Sequence, residues 1–283
     1  MNVQLLIVDP QNDFCTPAQE LFDKQGNKLK DEPRARGASL YVPGANEDMQ
    51  RLAAMIRRLS TKIDDIHVTL DSHRMVQIFH PIFWKDAHGK HPNPFTVISV
   101  DDVEKGKWVT TNPAYARVAL EYVRSLAANK RYVLCIWPYH CLIGTWGHSV
   151  HADVSEALLR WEEDNFAVVD YVTKGSNITT EHYSGVKAEV VDAMDPTTML
   201  NTELIGILNK ADLIPFGGEA LSHCIANTVG DIAAEFGDDN VKKLVLLEDC
   251  TSNVPGFEQL GKDFVAKMIK KGMQVAKSTD FLK

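Results

Sequence analysis

The sequence lacks the features expected of a membrane protein or of a nucleotide-binding protein. No apolar run approaches the ~18 residues of a membrane-spanning helix, and neither GxGxxG nor GxxxxGK[ST] is present. The five cysteines are irregularly spaced without a CxxC pair, which argues against a disulfide framework. The N-terminal stretch MNVQLLIVDPQNDF has no basic lead-in and its apolar run meets Asp9, so we do not expect a signal peptide. A reduced, cytoplasmic protein is the expectation.

Basic charge is also scarce. The formal net charge is −8, which argues against nucleic acid as the main partner, because a phosphate-binding face needs a basic excess. Hydrophobic residues make up 45% of the chain and charged residues 24%, as in an ordinary globular protein. The 283 residues show no internal repeat and no low-complexity linker, so we expect a single domain over residues 1–283. A homo-oligomer is compatible with this composition, and no membrane partner is expected.

Short apolar runs alternate with amphipathic segments along the chain. Their length and Val, Ile and Leu content are typical of strands that are covered on both faces. The predicted strands are residues 3–8, 65–70, 131–137, 166–172, 211–216 and 243–248. Three amphipathic helices are predicted between them. The apolar face of the first contains Met49, Leu52, Ile56 and Leu59, and that of the second contains Val154, Leu158 and Trp161. The apolar face of the third contains Ile225, Val229, Ile232 and Phe236, and this helix is predicted to end at Gly237. The pattern predicts an α/β fold: a doubly wound, mainly parallel sheet of about six strands with helices on both faces.

Two stretches interrupt this alternation. Residues 16–36 are polar and aperiodic, and residues 86–130 contain three prolines followed by a helix-like segment. Both are predicted to be insertions into a compact α/β core, and long structured insertions usually border a site or an interface.

Polar side chains follow the predicted strands at the sheet edge where ligands bind in open α/β folds. Asp9 follows the first strand, Asp71 and His73 the second, and His140 the third; Lys174 follows the fourth, and Cys224 comes eight residues after the fifth. The predicted sheet therefore gathers an aspartate, a lysine, a cysteine and a set of metal-ligand types at one edge.

Cys224 lies between a Gly-Gly turn and the predicted helix that begins at Ile225. A cysteine at a helix N-terminus meets the positive end of the helix dipole, so we expect a lowered thiol pKa and a nucleophilic thiolate. A buried structural cysteine is the alternative. Asp9 is placed to act as a base toward a thiol, or simply to cap the following turn. Lys174 either stabilises a thiolate and an anionic intermediate or is an ordinary solvated lysine.

A second group of residues has metal-ligand character. Asp71 and His73 lie on the same side of an extended segment, because side chains alternate with a period of two. His140 would add a third ligand and His80 a fourth, although His80 sits in the aromatic stretch IFHPIFW and could simply pack there. Mixed oxygen and nitrogen ligands suit one divalent ion, Zn²⁺, Mn²⁺ or Fe²⁺. The five remaining candidates are expected at the surface or behind the ligands: His88, His91, His148, His151 and His182.

Several motifs together resemble the nicotinamidases of the isochorismatase-like cysteine hydrolase superfamily. They are IVDPQNDFC, GASLYVPG, DSH, WPYHCLIGT, TKGSN…HYSG and SHCIANT, in the family's order from residue 3 to about residue 254. The resemblance implies a catalytic triad of Asp9, Lys174 and Cys224 and metal ligands at Asp71, His73 and His140, with His80 near a further ligand. It also implies a role in pyridine nucleotide metabolism.

The same resemblance implies a substrate pocket and an oxyanion hole. Phe14 and Trp137 match aromatic residues that flank a pyridine ring, and Tyr183 matches a pocket tyrosine. The Glu219–Ala220 bond matches a non-proline cis peptide that turns the amides of Ala220 and Cys224 toward an oxyanion. Cys141 is expected to be a small buried neighbour of His140.

The chain also departs from the family pattern. GEALSHC replaces the more usual small-Thr-Asp lead into the cysteine, and GTWGHSVH replaces a plainer continuation. Our leading hypothesis is hydrolysis of nicotinamide to nicotinate and ammonia by a metal-assisted cysteine amidohydrolase. A second hypothesis keeps the triad but changes the substrate to another carboxamide or a ureido compound. A third is a non-catalytic binding or scaffold protein on the same fold.

Overall fold

The computed structural model describes residues 1–237 and 239–283, which form a layered α/β structure. The strands are β1 Gln4–Val8, β2 Asp65–Asp71, β3 Trp84–Lys85, β4 Val97–Ile98, β5 Val109–Thr110, β6 Leu134–Cys135, β7 Asp170–Lys174, β8 Ile214–Gly218, β9 Leu244–Leu247 and β10 Gln274–Ala276. The α-helices are α1 Asn12–Cys15, α2 Pro33–Arg36, α3 Ala45–Arg58, α4 Val100–Glu104, α5 Ala116–Asn129, α6 Ala152–Asn165, α7 Thr202–Leu208, α8 Ala226–Phe236 and α9 Glu258–Lys270. No helix among the described residues is both long and apolar enough to cross a membrane.

Six strands form one parallel sheet in the order β10-β9-β8-β1-β2-β7. All five residues of β1 are buried, as expected for a central strand with helices on both faces. Helices α3 and α6 cover one face, where Met49, Ile56 and Trp161 are buried. Helices α7, α8 and α9 cover the other face. The predicted fold class and the three predicted helical faces are confirmed, and Gly237 follows the last residue of α8.

The strand predictions need three corrections. Residues 131–137 do not form a core strand: only β6 is extended there, and it pairs antiparallel with β4 outside the main sheet. The fourth strand begins at Asp170 instead of residue 166, because α6 continues to Asn165. The sixth place in the sheet belongs to β10, whose short QVA sequence is half exposed at the edge and carries little apolar signal. The predicted number of six strands is confirmed, but residues 131–137 were wrongly counted among them in place of β10.

The two insertions differ in what they build. Residues 16–36 are mostly exposed and contain one short helix, α2. Residues 86–130 contain α4 and α5, and the buried face of α5 packs into a third hydrophobic cluster with Phe79 and Trp84. That cluster also contains Trp137 and Tyr183. The second insertion therefore supports residues that the sequence places in a substrate pocket.

Candidate active site

Four neighbouring strands of the sheet carry the predicted reactive residues at their carboxyl ends. Asp9 directly follows β1, Asp71 ends β2 and Lys174 ends β7. Asp71 and Lys174 are register partners across the β2–β7 ladder, so their side chains emerge on the same face. Cys224 lies in a π-helical turn, Leu221–Ile225, between β8 and α8. The sheet register therefore brings together residues separated by more than two hundred positions in the chain.

The ammonium group of Lys174 is the centre of this cluster. Its Nζ lies 3.0 Å from Oδ2 of Asp9, 2.9 Å from Oδ1 of Asp71 and 3.7 Å from Sγ of Cys224. It also donates to the carbonyl of His182 at 2.9 Å. Lys174 is 3% exposed, Asp9 0% and Cys224 7%. A lysine this deeply buried among acids is not the ordinary solvated lysine that the sequence left as an alternative.

Burial and neighbouring charges set the protonation of these groups. Burial alone would lower the pKa of Lys174, but the carboxylates of Asp71 and Asp9 outweigh it and hold the pKa above its usual value. Burial raises the pKa of Asp9, an effect that Lys174 opposes. Burial also raises the pKa of the Cys224 thiol, with Lys174 again opposing and Asp9 adding to it. The prediction of a lowered thiol pKa was wrong, because desolvation of the thiolate exceeds the favourable field of a helix terminus. The thiol needs a base beside it, and Asp9 is that neighbour.

A second cluster shares Asp71 with the first. Ligand-type atoms of Asp71, His73 and His140 all lie within 4.8 Å of one another. Oδ2 of Asp71 is 3.0 Å from Nε2 of His73 and 3.6 Å from Nε2 of His140. Nδ1 of His73 lies 3.1 Å from the carbonyl of Gly175, and Nδ1 of His140 lies 2.8 Å from the carbonyl of Pro138. Since a carbonyl only accepts, both Nδ1 atoms carry protons, so the Nε2 atom of each ring is directed at the carboxylate and is the nitrogen available to ligate an ion. This convergence of a carboxylate oxygen and two imidazole nitrogens fits a cation.

His80 lies beside this cluster but is not one of the three residues whose ligand-type atoms lie within 4.8 Å of one another. Its ring centroid is 5.8 Å from that of His73 and 5.9 Å from that of His140. Its Nδ1 lies near the carbonyls of Arg74 and Met75, at 3.1 and 3.2 Å, while its buried Nε2 has no hydrogen-bond partner. Burial first, and then the two neighbouring histidines, lower the pKa of His80 to about 3. The ring is therefore neutral and has the tautomer that a metal ligand requires.

His140 reaches its place through a loop, because residues 131–137 form no core strand. The loop runs beside the segment that follows β2: the amide of Trp137 donates to the carbonyl of Phe79, and the amide of His73 donates to the carbonyl of Cys141. Oδ2 of Asp13 accepts from the amide of Cys141 at 2.7 Å, which fixes the residue next to His140. Cys141 is fully buried, as expected.

A small cavity opens above both clusters. Its walls include the three aromatic residues singled out in the sequence, Phe14, Trp137 and Tyr183, together with Ala220 and Cys224. Nε1 of Trp137 donates to the hydroxyl of Tyr183 at 3.0 Å, so the two rings support each other. The cavity is a mainly apolar site with a few polar groups, which is typical of a small-molecule pocket.

Sequence reasoning missed four residues of the cavity wall: Leu40, Glu181, His223 and Val254. Two of them had a usable signal, because His223 precedes the nucleophile candidate and Glu181 lies two residues before Tyr183. Burial, with the charge of Asp71 adding to it, raises the pKa of Glu181 to about 8. Burial lowers the pKa of His223 to about 4. At neutral pH the cavity therefore carries an uncharged carboxyl and an uncharged imidazole.

The turn that carries Cys224 depends on a glycine and on one unusual peptide bond. Gly218 has φ of +119°, and a Cβ there would lie 1.9 Å from the carbonyl oxygen of Val8. The Glu219–Ala220 bond is cis, as the resemblance implies. Ala220 and Cys224 then both face the cavity.

The remaining histidines divide into two groups. His88 and His91 are exposed. His182 is buried, and its Nδ1 accepts from the amide of Gly175, behind His73. His148 lies 2.8 Å from the hydroxyl of Ser72. His151 is buried and contacts Asn46.

Among known proteins, only solved structures match this chain. No family model matches the sequence, and no curated protein matches it. Solved structures do match over nearly the whole chain. The yeast nicotinamidase has a TM-score of 0.62 and 18% identity over 97% of this chain and 99% of its own. A nicotinamidase/pyrazinamidase of Acinetobacter baumanii has a TM-score of 0.57 and 20% identity over 99% and 98%. A pyrazinamidase of Pyrococcus horikoshii, solved with zinc, has a TM-score of 0.54 and 17% identity over 98% and 99%. The chain therefore has the isochorismatase-like α/β fold of the nicotinamidases.

Proposed function

We propose that this protein is a metal-assisted cysteine amidohydrolase that converts nicotinamide and water to nicotinate and ammonia. The observation that carries the proposal is the position of Lys174, whose ammonium group contacts Asp9, Asp71 and the sulfur of Cys224 beneath an aromatic cavity. A thiol, a carboxylate and a buried cation in this arrangement are the components of nucleophilic acyl transfer.

Asp71, His73 and His140 would hold one divalent metal ion, with His80 as a further ligand. The ligand set of one carboxylate oxygen and several imidazole nitrogens suits Zn²⁺, Mn²⁺ or Fe²⁺. A structural relative was solved with zinc. When bound, the ion would supply a Lewis acid that anchors the pyridine nitrogen, directly or through water.

The first half of the reaction uses the three residues of the sheet edge. Asp9 accepts the proton of the Cys224 thiol, and the sulfur forms a bond to the carboxamide carbon. Lys174 lies beside both groups and stabilises the thiolate while it forms. Asp9 then returns the proton to the leaving nitrogen. The carbon–nitrogen bond breaks, ammonia leaves, and a thioester remains on Cys224.

The second half returns the enzyme to its starting state. Asp9 takes a proton from a water molecule, whose oxygen attacks the thioester carbon. The carbon–sulfur bond breaks, the thiolate regains its proton, and nicotinate leaves. The amides of Ala220 and Cys224 would donate to the oxyanion in both halves, and one such donor is worth about 3–4 kcal/mol.

The lining of the cavity supports a flat aromatic amide as the substrate. Phe14 and Trp137 line its walls, and apolar walls favour the transfer of an aromatic ring out of water. Relatives of this fold were solved with nicotinaldehyde, described as an inhibitor, and with nicotinate. Both are flat pyridines of the size that the proposal requires.

The test is ammonia release from nicotinamide by the purified, metal-loaded protein. Cys224→Ala should abolish the release, and nicotinate should form in equal amount. A Cys224→Ala protein as active as the unmodified one would overturn the proposal. A Cys224 thiol that alkylates no faster than free cysteine, with no turnover of any amide, would favour a non-catalytic binding protein.

One observation favours a second candidate, in which the same triad acts on another carboxamide or a ureido compound. Glu181 places a carboxyl in the cavity wall that neither the triad nor the metal site uses. The amide of His182 already donates to Oε1 of Glu181, so the protonated carboxyl favours a substrate with an additional hydrogen-bond acceptor. Rapid turnover of an amide that carries such an acceptor, without turnover of nicotinamide, would select this candidate.

A further inference from the structure

The carboxyl group of Glu219 is fully buried next to the turn that carries Cys224, in a segment where the chain departs from the family pattern. Its side chain is 0% exposed, and so is that of Ser222, three residues on. Glu219 makes no contact with the cavity, whose wall instead contains the next residue, Ala220. The mechanism above gives Glu219 no task.

The hydrogen bonds of Ser252 tie this carboxyl to helix α3. The amide of Ser252 donates to Oε2 of Glu219 at 3.1 Å, and its hydroxyl donates to Oδ2 of Asp48 at 2.5 Å. Its carbonyl accepts from the amide of Leu221. One serine thus links Asp48 on α3 with the first and third residues of the segment 219–221.

The second oxygen of Glu219 needs a proton to be satisfied. Oε1 of Glu219 is buried without a hydrogen-bond partner, and burial, with the neighbouring carboxyl of Asp48 adding to it, raises the pKa of Glu219 well above its usual value. Two carboxyl groups form a hydrogen bond only when they share a proton. The neighbouring cation, Arg51, is engaged by Asp48 and by the carbonyl of Asp249. An ionised Glu219 would be a buried charge without a partner.

We propose that Glu219 is a positioning residue whose protonated carboxyl donates to Asp48 and so fixes the turn that presents Ala220 and Cys224 to the substrate. This inference rests on the proposed function, because it assigns Ala220 and Cys224 their tasks there. The turn is also tied to the cavity wall, since the amide of Val254 donates to the hydroxyl of Ser222. The groups that face Glu219 and bear on its protonation are Asp48 and Arg51 on α3, Cys15 on α1, and Tyr41.

The decisive comparison is between Glu219→Gln and Glu219→Met. Glutamine keeps the shape and can donate to Asp48, whereas methionine keeps the volume but makes no hydrogen bond. We expect kcat for nicotinamide to stay within about threefold of the unmodified value in Glu219→Gln and to fall about 10- to 100-fold in Glu219→Met, with KM little changed. Glu189→Gln, which alters a buried carboxyl outside the cavity, is the matched control and should leave kcat unchanged.

Two further measurements keep the test independent of the substrate. The infrared spectrum at neutral pH should contain the carbonyl band of a protonated carboxylic acid that is absent from Glu219→Gln. The rate of Cys224 alkylation by iodoacetamide should be altered in Glu219→Met and preserved in Glu219→Gln. If nicotinamide is not turned over, the proposed function fails while these two results still decide the role of Glu219. A missing band, or equal behaviour of the two variants in kcat and alkylation, would overturn the inference.

Discussion

The edge of the sheet and the aromatic wall of the cavity are built in opposite ways. Asp9, Asp71 and Lys174 lie at the ends of adjacent parallel strands, and the strand ladders fix their relative positions. Trp137 and Tyr183 lie in loops that pack against α5 of the second insertion. The positions of the reactive groups therefore depend on backbone pairing between strands, while the wall depends on side-chain packing between loops and a helix. We infer that the sheet edge determines the chemistry and the wall determines which amide is bound.

The largest effect is expected for Cys224, the proposed nucleophile at the sheet edge. Cys224→Ala should lower kcat by about 10⁴-fold or more, because the proposed thioester forms on the sulfur that this change removes. Cys135→Ala, which removes a half-buried thiol outside the cavity, should leave kcat unchanged. Steady-state ammonia release gives kcat for both variants. A loss of kcat in Cys135→Ala would contradict the assignment of the reaction to the sheet edge.

The charge balance at the sheet edge should matter for stability as well as for rate. Lys174→Met leaves Asp9 and Asp71 buried without their cation, so we expect a loss of about 3–5 kcal/mol in the free energy of unfolding. Urea unfolding monitored by tryptophan fluorescence would show it. An exposed control, Lys105→Met, should change stability by less than about 1 kcal/mol.

Loss of the proposed metal ion should weaken substrate binding more than it changes the reactivity of the Cys224 thiol. His73→Ala should lose the bound ion and lower kcat/KM by about 100-fold, while Cys224 still reacts with iodoacetamide. Emission spectroscopy would measure the metal content of the variant, and the rate of alkylation would measure the reactivity of Cys224. Full activity in a metal-free protein would contradict the assignment of Asp71, His73 and His140.

A change in the aromatic wall should have a smaller effect, concentrated in KM. Trp137→Leu removes a ring face and the donor to Tyr183, so we expect KM for nicotinamide to rise about 10-fold with a smaller change in kcat. Phe95→Leu, at an exposed ring that contacts the outer side of Trp137, is the control. An unchanged KM in Trp137→Leu would show that the aromatic wall does not contribute to substrate binding.

The smallest effect at neutral pH is expected for Glu181, whose pKa burial raises to about 8. The folded protein keeps this proton longer than the unfolded chain, so its contribution to stability is fully present below the unfolded pKa and is lost as the pH rises toward 8. Glu181→Gln should remove that dependence, with a difference in slope of up to about 1.4 kcal/mol per pH unit. The measurement is the free energy of unfolding of both proteins between pH 5 and pH 8. If Glu181 is already ionised in the folded protein, the plots of this free energy against pH will be parallel for the two proteins.

Some features of the molecule follow from the sequence alone. The alternation of apolar runs with amphipathic segments predicted the parallel sheet, because a strand covered on both faces must be apolar throughout. The position of Asp9, Asp71 and Lys174 after those runs placed them at one edge, since parallel strands share the direction of their carboxyl ends. The motifs that resemble the nicotinamidases indicated the same edge.

Only the tertiary structure decided the rest. Residues 131–137 read as a core strand but pair outside the sheet, because local apolar content does not distinguish packing against a sheet from packing against α5. The pKa of Cys224 depends on how completely the fold excludes water, and a helix terminus in the sequence says nothing about that. Glu181 and Glu219 are ordinary acids by sequence, and burial in the folded protein raises the pKa of both carboxyl groups. Desolvation is a property of the assembled molecule, so it cannot be read from any local pattern of residues.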